Sequence, residues 1–262
     1  MPEMNEYTPG NFCWVELATT EQEAAKQFYT ALFGWTANEV PIGPEGVNTM
    51  LQLRGRDAAA LYALTDEQRS MGISPHWLAY VAVSSADETV LQVQSLGGIV
   101  IAQPFDVMDV GRMAVVQDPL GGTFALWEAR SHRGAGVAND PRSFSWAELV
   151  TRDAQRAGEF YAGLFGWETE AQPAGTASYT TFQLNGRRVA GLLEMSGESG
   201  ELAPHWIVYF AVRSVDEAVL QAQSLGGVLR IPPTDNPAVG RFASLEDPQG
   251  AVFSIVELQM PV

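Results

Sequence analysis

The octapeptide FYTALFGW (28–35) returns almost unchanged as FYAGLFGW (160–167), 132 positions later. The likeness extends well beyond this phrase, because PHWLAYVAVSSADETVLQVQSLGG (75–98) returns as PHWIVYFAVRSVDEAVLQAQSLGG (204–227). A repeat of this length is typical of a duplicated domain and not of a solenoid of short units. The chain of 262 residues is long enough for two such domains.

A third block sets the limits of the two copies. VGRMAVVQDPLGGTFALWE (110–128) returns as VGRFASLEDPQGAVFSIVE (239–257). The stretch between the copies is polar, contains glycine and shows no periodicity, which is typical of a linker. We therefore expect domains at residues 10–129 and 143–259, joined by a linker over 130–142.

Each half divides again into two similar units. A strand-forming run comes first, and Thr20 with Glu23 predicts a capping box at the start of a helix. Gly34 lies where a left-handed residue would end that helix. The pattern then restarts, with Ser85 and Glu88 predicting a second capping box. Including the weaker strand signals, each half is predicted to run β-α-β-β-β twice.

These signatures resemble the vicinal oxygen chelate superfamily, the glyoxalase and bleomycin-resistance fold. The resemblance is carried by the repeated octapeptide, by SLGG at the end of the second helix, and by GR…DP-x-G…F before the last strand. The nearest likeness is to two-domain actinobacterial glyoxalase-like proteins. It implies an α+β fold in which two βαβββ modules form one curved eight-stranded sheet, a cup, in each half. It also implies that each half has its own core, to which the octapeptide contributes Phe28, Leu32, Phe33 and Trp35.

The resemblance further implies a divalent metal in each cup, held by His, Glu or Gln on the first and last strands of the modules. Counting from the repeated motifs places other residues there: Trp14, Tyr80, Ala125 and Tyr62 in the first half, and Trp146, Tyr209, Ser254 and Glu194 in the second. Trp and Ala cannot bind a metal, and neutral Tyr is a poor ligand. One glutamate alone cannot hold the ion, so we expect neither a metal nor another cofactor.

Two histidines and two glutamates are the candidate catalytic residues. Glu16 and Glu148 follow the two tryptophans by two positions, hence on the same strand face. His76 and His205 precede the two tyrosines by four positions, also on that face. A histidine and a carboxylate in one cup could act as an acid–base pair. They could instead hold a displaced metal, or hydrogen-bond each other or the backbone in support of the fold.

Large rings and two arginines are the candidate ligand-binding residues: Trp14, Tyr80, Arg112, Trp146, Tyr209 and Arg241. The rings could form the walls of a site for a planar or hydrophobic molecule. The arginines each follow a glycine and could contact an anionic ligand at the mouth of a cup. The alternative for them is local pairing on the surface.

The composition of the chain disfavours several classes of binding partner. A formal net charge of −16 disfavours binding to nucleic acid or to anionic membranes. No apolar run reaches the roughly 18 residues of a membrane span. A single cysteine excludes an internal disulfide and favours a cytoplasmic location. The expected partner is a small molecule, and self-association is left open.

Three functions remain as alternatives. The first is metal-independent binding of a small aromatic or hydrophobic molecule. The second is a noncanonical enzyme of the glyoxalase, dioxygenase or hydroxylase type. The third is a structural or interaction protein whose cups are filled by its own aromatic side chains.

Overall fold

A computed structural model describes residues 6–42, 46–172, 179–195, 202–236 and 240–257. Within these ranges the chain forms two mixed eight-stranded sheets, one from each half. The α+β architecture and the tandem duplication are therefore confirmed. No helix in the described ranges has the length and apolar character needed to cross a membrane.

The first sheet joins two modules through their first strands. Its elements are β1 (Phe12–Thr19), α1 (Gln22–Phe33), β2 (Thr36–Pro41), β3 (Val47–Leu53), β4 (Arg56–Ala63), α2 (Asp66–Ser70), β5 (His76–Ala82), α3 (Ala86–Ser95), β6 (Ile99–Val107), β7 (Gly111–Gln117) and β8 (Thr123–Ala129). The strand order is β2-β3-β4-β1-β5-β8-β7-β6. Strand β1 is antiparallel to β5 and parallel to β4, while β5 is parallel to β8. The first and last strands of both modules thus lie side by side at the centre.

The second sheet repeats this arrangement. Its elements are β9 (Phe144–Thr151), α4 (Ala154–Phe165), β10 (Glu168–Gln172), β11 (Tyr179–Leu184), β12 (Arg187–Glu194), β13 (His205–Val212), α5 (Val215–Ser224), β14 (Val228–Asn236), β15 (Gly240–Glu246) and β16 (Val252–Glu257). The strand order, β10-β11-β12-β9-β13-β16-β15-β14, is the same as in the first sheet.

The helix ends agree with the sequence patterns except at one cap. Gly34 ends α1 with φ 65°, the left-handed conformation that glycine adopts without strain. Ser85 caps α3, where its hydroxyl accepts a backbone hydrogen bond of 3.2 Å. The capping box of Thr20 and Glu23 is wrong. The N-cap of α1 is Glu21, which makes no side-chain cap bond, so Thr20 lies one residue too early.

The tyrosine of the repeated octapeptide reaches the opposite domain. The Tyr29 hydroxyl donates a 3.0 Å hydrogen bond to Oδ2 of Asp247 and accepts one of 2.9 Å from Nε1 of Trp77. In the second copy, Tyr161 donates to Oδ2 of Asp118 at 2.9 Å. Each domain therefore supplies a tyrosine to an aspartate in the other domain's DP-x-G turn.

The aromatic rings around these hydrogen bonds form one continuous core. The ring centroids of Phe33 and Phe210 are 5.0 Å apart, and those of Phe12 and Trp206 are 5.1 Å apart. Both pairs join the two domains. The indole N–H of Trp35 donates to the carbonyl of Arg142 at 2.8 Å. A single buried cluster contains residues of both halves. The octapeptide residues are buried as expected, but the expectation of two separate cores is wrong. Sequence periodicity identifies a buried face and does not identify what covers it.

Removing the tyrosine hydroxyl tests whether the domains unfold together. We expect Y29F to lower the free energy of unfolding by about 1–3 kcal/mol, because it leaves an Asp247 oxygen and the Trp77 N–H without their partner. Urea unfolding followed by fluorescence and circular dichroism should show one transition, shifted as a whole. The control is Y62F, at a half-buried tyrosine of β4. Two transitions, with only the first displaced, would contradict a shared core.

Candidate functional site

A cavity of about 320 Å³ lies on the concave face of the first sheet, and we call it the first cup. Its apolar wall includes Trp14, Met50, Tyr80, Val107, Met113 and Trp127. Its polar lining includes Glu16, Asn48, Gln52, Asp57 and His132. Trp14, Glu16 and Tyr80 come from β1 and β5 at the centre of the sheet, and strands on both sides of this pair supply most of the other side chains. An apolar wall with a few polar groups is typical of small-molecule sites.

Strand register explains why the tryptophan and tyrosine meet in the cup. Trp14 is paired with Tyr80 across β1 and β5, and Tyr80 is paired with Ala125 across β5 and β8. Glu16 lies two residues further along β1, hence on the same face. Trp14, Glu16 and Tyr80 all line the cup, as the spacing predicts.

Glu16 is held by two hydrogen-bond donors. The Tyr80 hydroxyl donates to Oε2 at 2.6 Å, and Nδ2 of Asn48 donates to Oε1 at 2.9 Å. Burial raises the pKa of Glu16 above its ordinary value, and the two hydrogen bonds offset part of that rise. The pKa of Tyr80 is well above its usual range, mainly because the ring is buried. Tyr80 is therefore a neutral donor at ordinary pH.

These residues do not fit the divalent metal that the resemblance implies. Trp14 and Ala125 offer no suitable donor atom, and the hydroxyl of Tyr80 is committed to Glu16. Across the described parts of the chain, no three His, Cys, Asp or Glu side chains gather as a ligand set. Glu194, the remaining carboxylate at these positions, is exposed at the end of β12.

The second sheet holds a larger cavity, the second cup, of about 570 Å³. Tyr209 donates a 2.9 Å hydrogen bond to Oε1 of Glu148, as Tyr80 does to its own glutamate. Burial raises the pKa of Glu148, and hydrogen bonds from Tyr209 and Tyr179 partly counter this. Trp146 does not line the second cup. Its indole donates to the Tyr179 hydroxyl at 3.2 Å, and its ring lines a different surface groove.

The two predicted histidines occupy different settings. His76, at the start of β5, places Nδ1 2.8 Å from the carbonyl oxygen of Ser74 and does not line the first cup. His205 makes the equivalent contact with Ala203 and does line the second cup, together with Glu148. Of the two predicted histidine–glutamate pairs, the structure thus brings only His205 and Glu148 to one cavity.

The two predicted arginines pair with aspartates outside the cups. Arg112 contacts Asp87 at 2.7 Å and Asp106 at 3.0 Å. Arg241 pairs with Asp216 at 2.9 Å and also contacts Asp235. Neither arginine lines either cup. Both arginines thus form local ion pairs on the surface, the alternative given for them above, and neither is included in the proposed site.

One lining residue, His132, was not expected from the sequence. The segment after β8 folds over the first cup, with the His132 carbonyl accepting a 3.0 Å bond from Nε1 of Trp127. The His132 ring packs edge-on against Trp14, with centroids 4.6 Å apart. Burial lowers the pKa of His132. Its position outside the repeated blocks is the only sequence signal, since it has no counterpart in the second half.

The buried glutamates should make stability depend on pH. Because the pKa of Glu148 is raised above 4.5, folding is favoured by this group below pH 4.5, and that contribution is lost as pH rises through the raised pKa. We expect E148Q to remove this pH dependence. For a single group it is at most about 1.4 kcal/mol in the free energy of unfolding per pH unit. Urea unfolding from pH 4 to 8 measures it, with E159Q on the exposed side of α4 as the control. Parallel profiles for E148Q and the wild type would contradict the assignment.

Comparison with known proteins finds one family model that matches both halves of the chain. Residues 12–126 and 143–255 match the model of the Glyoxalase/Bleomycin resistance protein/Dioxygenase superfamily. Both segments lie inside the expected domains, whose outer limits stay a prediction. The chain is 38% identical over 261 residues to "Putative glyoxylase CFP32" of Mycobacterium tuberculosis (strain CDC 1551 / Oshkosh), covering 98% of each protein. It is 36% identical over 268 residues to the anthracycline biosynthesis protein DnrV of Streptomyces peucetius, covering 98% of this chain and 96% of that protein.

Solved structures share the fold at low sequence identity. The Mn(II)-bound glyoxalase from Novosphingobium aromaticivorans superposes with a TM-score of 0.64 at 16% identity, covering 95% of this chain and 82% of that one. The 2,2',3-trihydroxybiphenyl 1,2-dioxygenase from Sphingomonas wittichii strain RW1 gives 0.66 at 12% identity, covering 96% and 91%. These likenesses concern architecture alone. Together with the matched segments and the full-length relatives, they lead to one conclusion: the chain belongs to the Glyoxalase/Bleomycin resistance protein/Dioxygenase superfamily.

Proposed function

We propose that this protein binds a small aromatic or hydrophobic molecule in its first cup without a metal ion. One observation carries the proposal. Trp14, Tyr80 and Ala125, at the positions where the resemblance implies metal ligands, form a row across the floor of the sheet beside an open cavity. Large rings around a cavity of about 320 Å³ favour a flat apolar ligand over an ion.

The full-length relatives support an aromatic ligand. Two of them, at 36% identity, are named anthracycline biosynthesis proteins. Anthracyclines are fused-ring aromatic compounds, and a molecule with that kind of ring system would stack on an indole. The alternative of filled cups has little support, because both cups enclose open volume in the described residues.

Catalysis without a metal is a second candidate function, and the second cup favours it. Glu148 and His205 both line that cavity, and the raised pKa of Glu148 would suit a general acid. The relatives named glyoxylase support this candidate as well. A shared name does not define a reaction, since the fold hosts several chemistries. Turnover of the methylglyoxal–glutathione adduct that is lost in E148Q would favour this candidate over binding alone.

Metal content tests whether the protein acts without a metal ion. The purified chain, incubated with Mn²⁺, Ni²⁺, Zn²⁺ or Fe²⁺ and then dialysed, should retain far less than one ion per chain, because the cups lack a ligand set. Elemental analysis by mass spectrometry measures this. A stoichiometric ion that is lost in E16Q or E148Q would overturn metal-independent binding.

Replacing the tryptophan of the first cup tests whether an aromatic molecule binds there. With 2-naphthol as the probe, we expect W14L to weaken binding by roughly 3- to 10-fold, because the variant loses the ring contact. Equilibrium dialysis measures binding without relying on tryptophan emission. The matched control is W146L, the equivalent residue of the second domain, which does not line the second cup. Equal losses in both variants, or none in either, would count against the site.

A further inference from the structure

The linker after β8 is bonded to the first domain. The backbone N–H of Ala135 donates to the carbonyl of Cys13 at 2.8 Å, and that of Gly136 donates to the carbonyl of Asp57 at 2.8 Å. The N–H of His132 donates to the carbonyl of Val110 at 3.0 Å. These acceptors lie on β1, on β4 and in the turn between β6 and β7. We call residues 132–136 the strap, because they bond to three separate parts of one domain.

Gly134 allows the strap to lie this close to β1. Its φ is 113°, a conformation that L side chains rarely adopt. A Cβ at this position would lie 2.6 Å from the carbonyl oxygen of Cys13 and 2.9 Å from the Tyr7 ring. Any larger residue would push the strap away from the sheet. The path of the strap, and with it the place of His132, is therefore set by close packing.

The strap places the His132 ring against two tryptophans of the first cup. The ring centroid lies 4.6 Å from that of Trp14 and 5.7 Å from that of Trp127, with interplanar angles of 85° and 73°. Both indoles line the cup. Nε2 of His132 is buried and has no hydrogen-bond partner among the described residues. Because a buried polar atom without a partner costs free energy, we attribute the contribution of this ring to its packing against the indoles.

The equivalent tryptophan of the second domain has a different neighbour. Trp146 is paired with the cup tyrosine Tyr209 across two strands, as Trp14 is with its own tyrosine. The Trp146 indole donates to the Tyr179 hydroxyl at 3.2 Å, and its ring lines a different groove. The described ranges end with the last residue of β16, so no described segment follows that strand as the strap follows β8. The tryptophan that the strap contacts lines its cup, and the other does not.

We propose that His132 is a positioning residue for ligand binding in the first cup. Its ring holds the Trp14 indole in the wall of the cup, so the linker between the domains contributes to the affinity for aromatic molecules. The inference rests on the proposed function and adds the residue that sets its strength. Strand β1 fixes where Trp14 is attached, but the indole can still turn about its side-chain bonds. A ring packed edge-on at 4.6 Å restricts that motion, so the wall is formed before a ligand arrives.

Variants of His132 test this on the full chain, with 2-naphthol as the probe and equilibrium dialysis as the measurement. We expect H132A to weaken binding by roughly 3- to 10-fold, because the ring contact with Trp14 is lost. H132F restores a ring and should recover the affinity to within about two-fold of the wild type. The matched control is R133A in the same strap. Arg133 lies 3.7 Å from Glu6 and does not line the cup, so this variant should bind like the wild type.

A double-mutant cycle tests whether His132 acts through Trp14. If it does, H132A should add less than about two-fold to the loss that W14L causes, because the residue to be positioned is already absent. A side chain that contacted the ligand independently would give losses that multiply. Circular dichroism and thermal melting confirm folding. If H132A does not fold, H132L, which fills the space without a ring, takes its place with the same expectation.

The outcomes separate the inference from the proposal beneath it. If the wild type does not bind 2-naphthol, the proposed function fails and the inference fails with it. If the wild type binds and H132A binds equally well, or if the losses in H132A and W14L multiply, the inference is overturned while aromatic binding stands. An equal loss in H132F would show that the imidazole itself is needed and would overturn the positioning role. A comparable loss in R133A would overturn the assignment to His132.

Discussion

The exchanged tyrosine–aspartate hydrogen bonds are the constraint on which the rest of this structure depends. Tyr29 donates to Asp247 and Tyr161 to Asp118, so each domain completes the turn of the other. The same aspartates hold their own turns, because Oδ1 of Asp118 accepts the backbone N–H of Gly121 at 2.9 Å. A buried carboxylate without these donors would cost stability. The two domains therefore share one buried core.

This arrangement separates structural residues from functional ones. The aromatic side chains of the helices pack in the interface between the domains. Phe33, for example, has its ring centroid 5.0 Å from that of Phe210. The concave faces of the sheets stay open, with cavities of about 320 and 570 Å³. The two cups keep the same glutamate–tyrosine hydrogen bond, between Glu16 and Tyr80 and between Glu148 and Tyr209. They differ in other lining residues, because Trp14 lines the first cup and Trp146 does not line the second.

The strand faces expected from the sequence hold for Trp14 and Glu16 but not for Trp146, which lines a different groove, and hydrogen-bond partners are predicted poorly. Period-two alternation correctly places Trp14 and Glu16 on one face of β1, since neighbouring side chains point to opposite sides. It cannot show that Tyr80 bonds to Glu16, because that depends on the register between distant strands. The place of His132 in the first cup could not be predicted, because it lies in the linker, where no repeat offers a comparison. The hydrogen bond from Tyr29 to the opposite domain could not be predicted either, because a pattern of buried residues does not show which domain covers them.

We propose an aromatic binding site at the position where the resemblance implies a metal ion. The most direct measurement is a crystal structure of the protein grown with 2-naphthol and Mn²⁺ together. The account predicts the naphthol ring in the first cup against Trp14 and Trp127, with no anomalous manganese signal in either cup. A manganese ion bound to Glu16, or a first cup without the probe while the ring lies elsewhere, would contradict it.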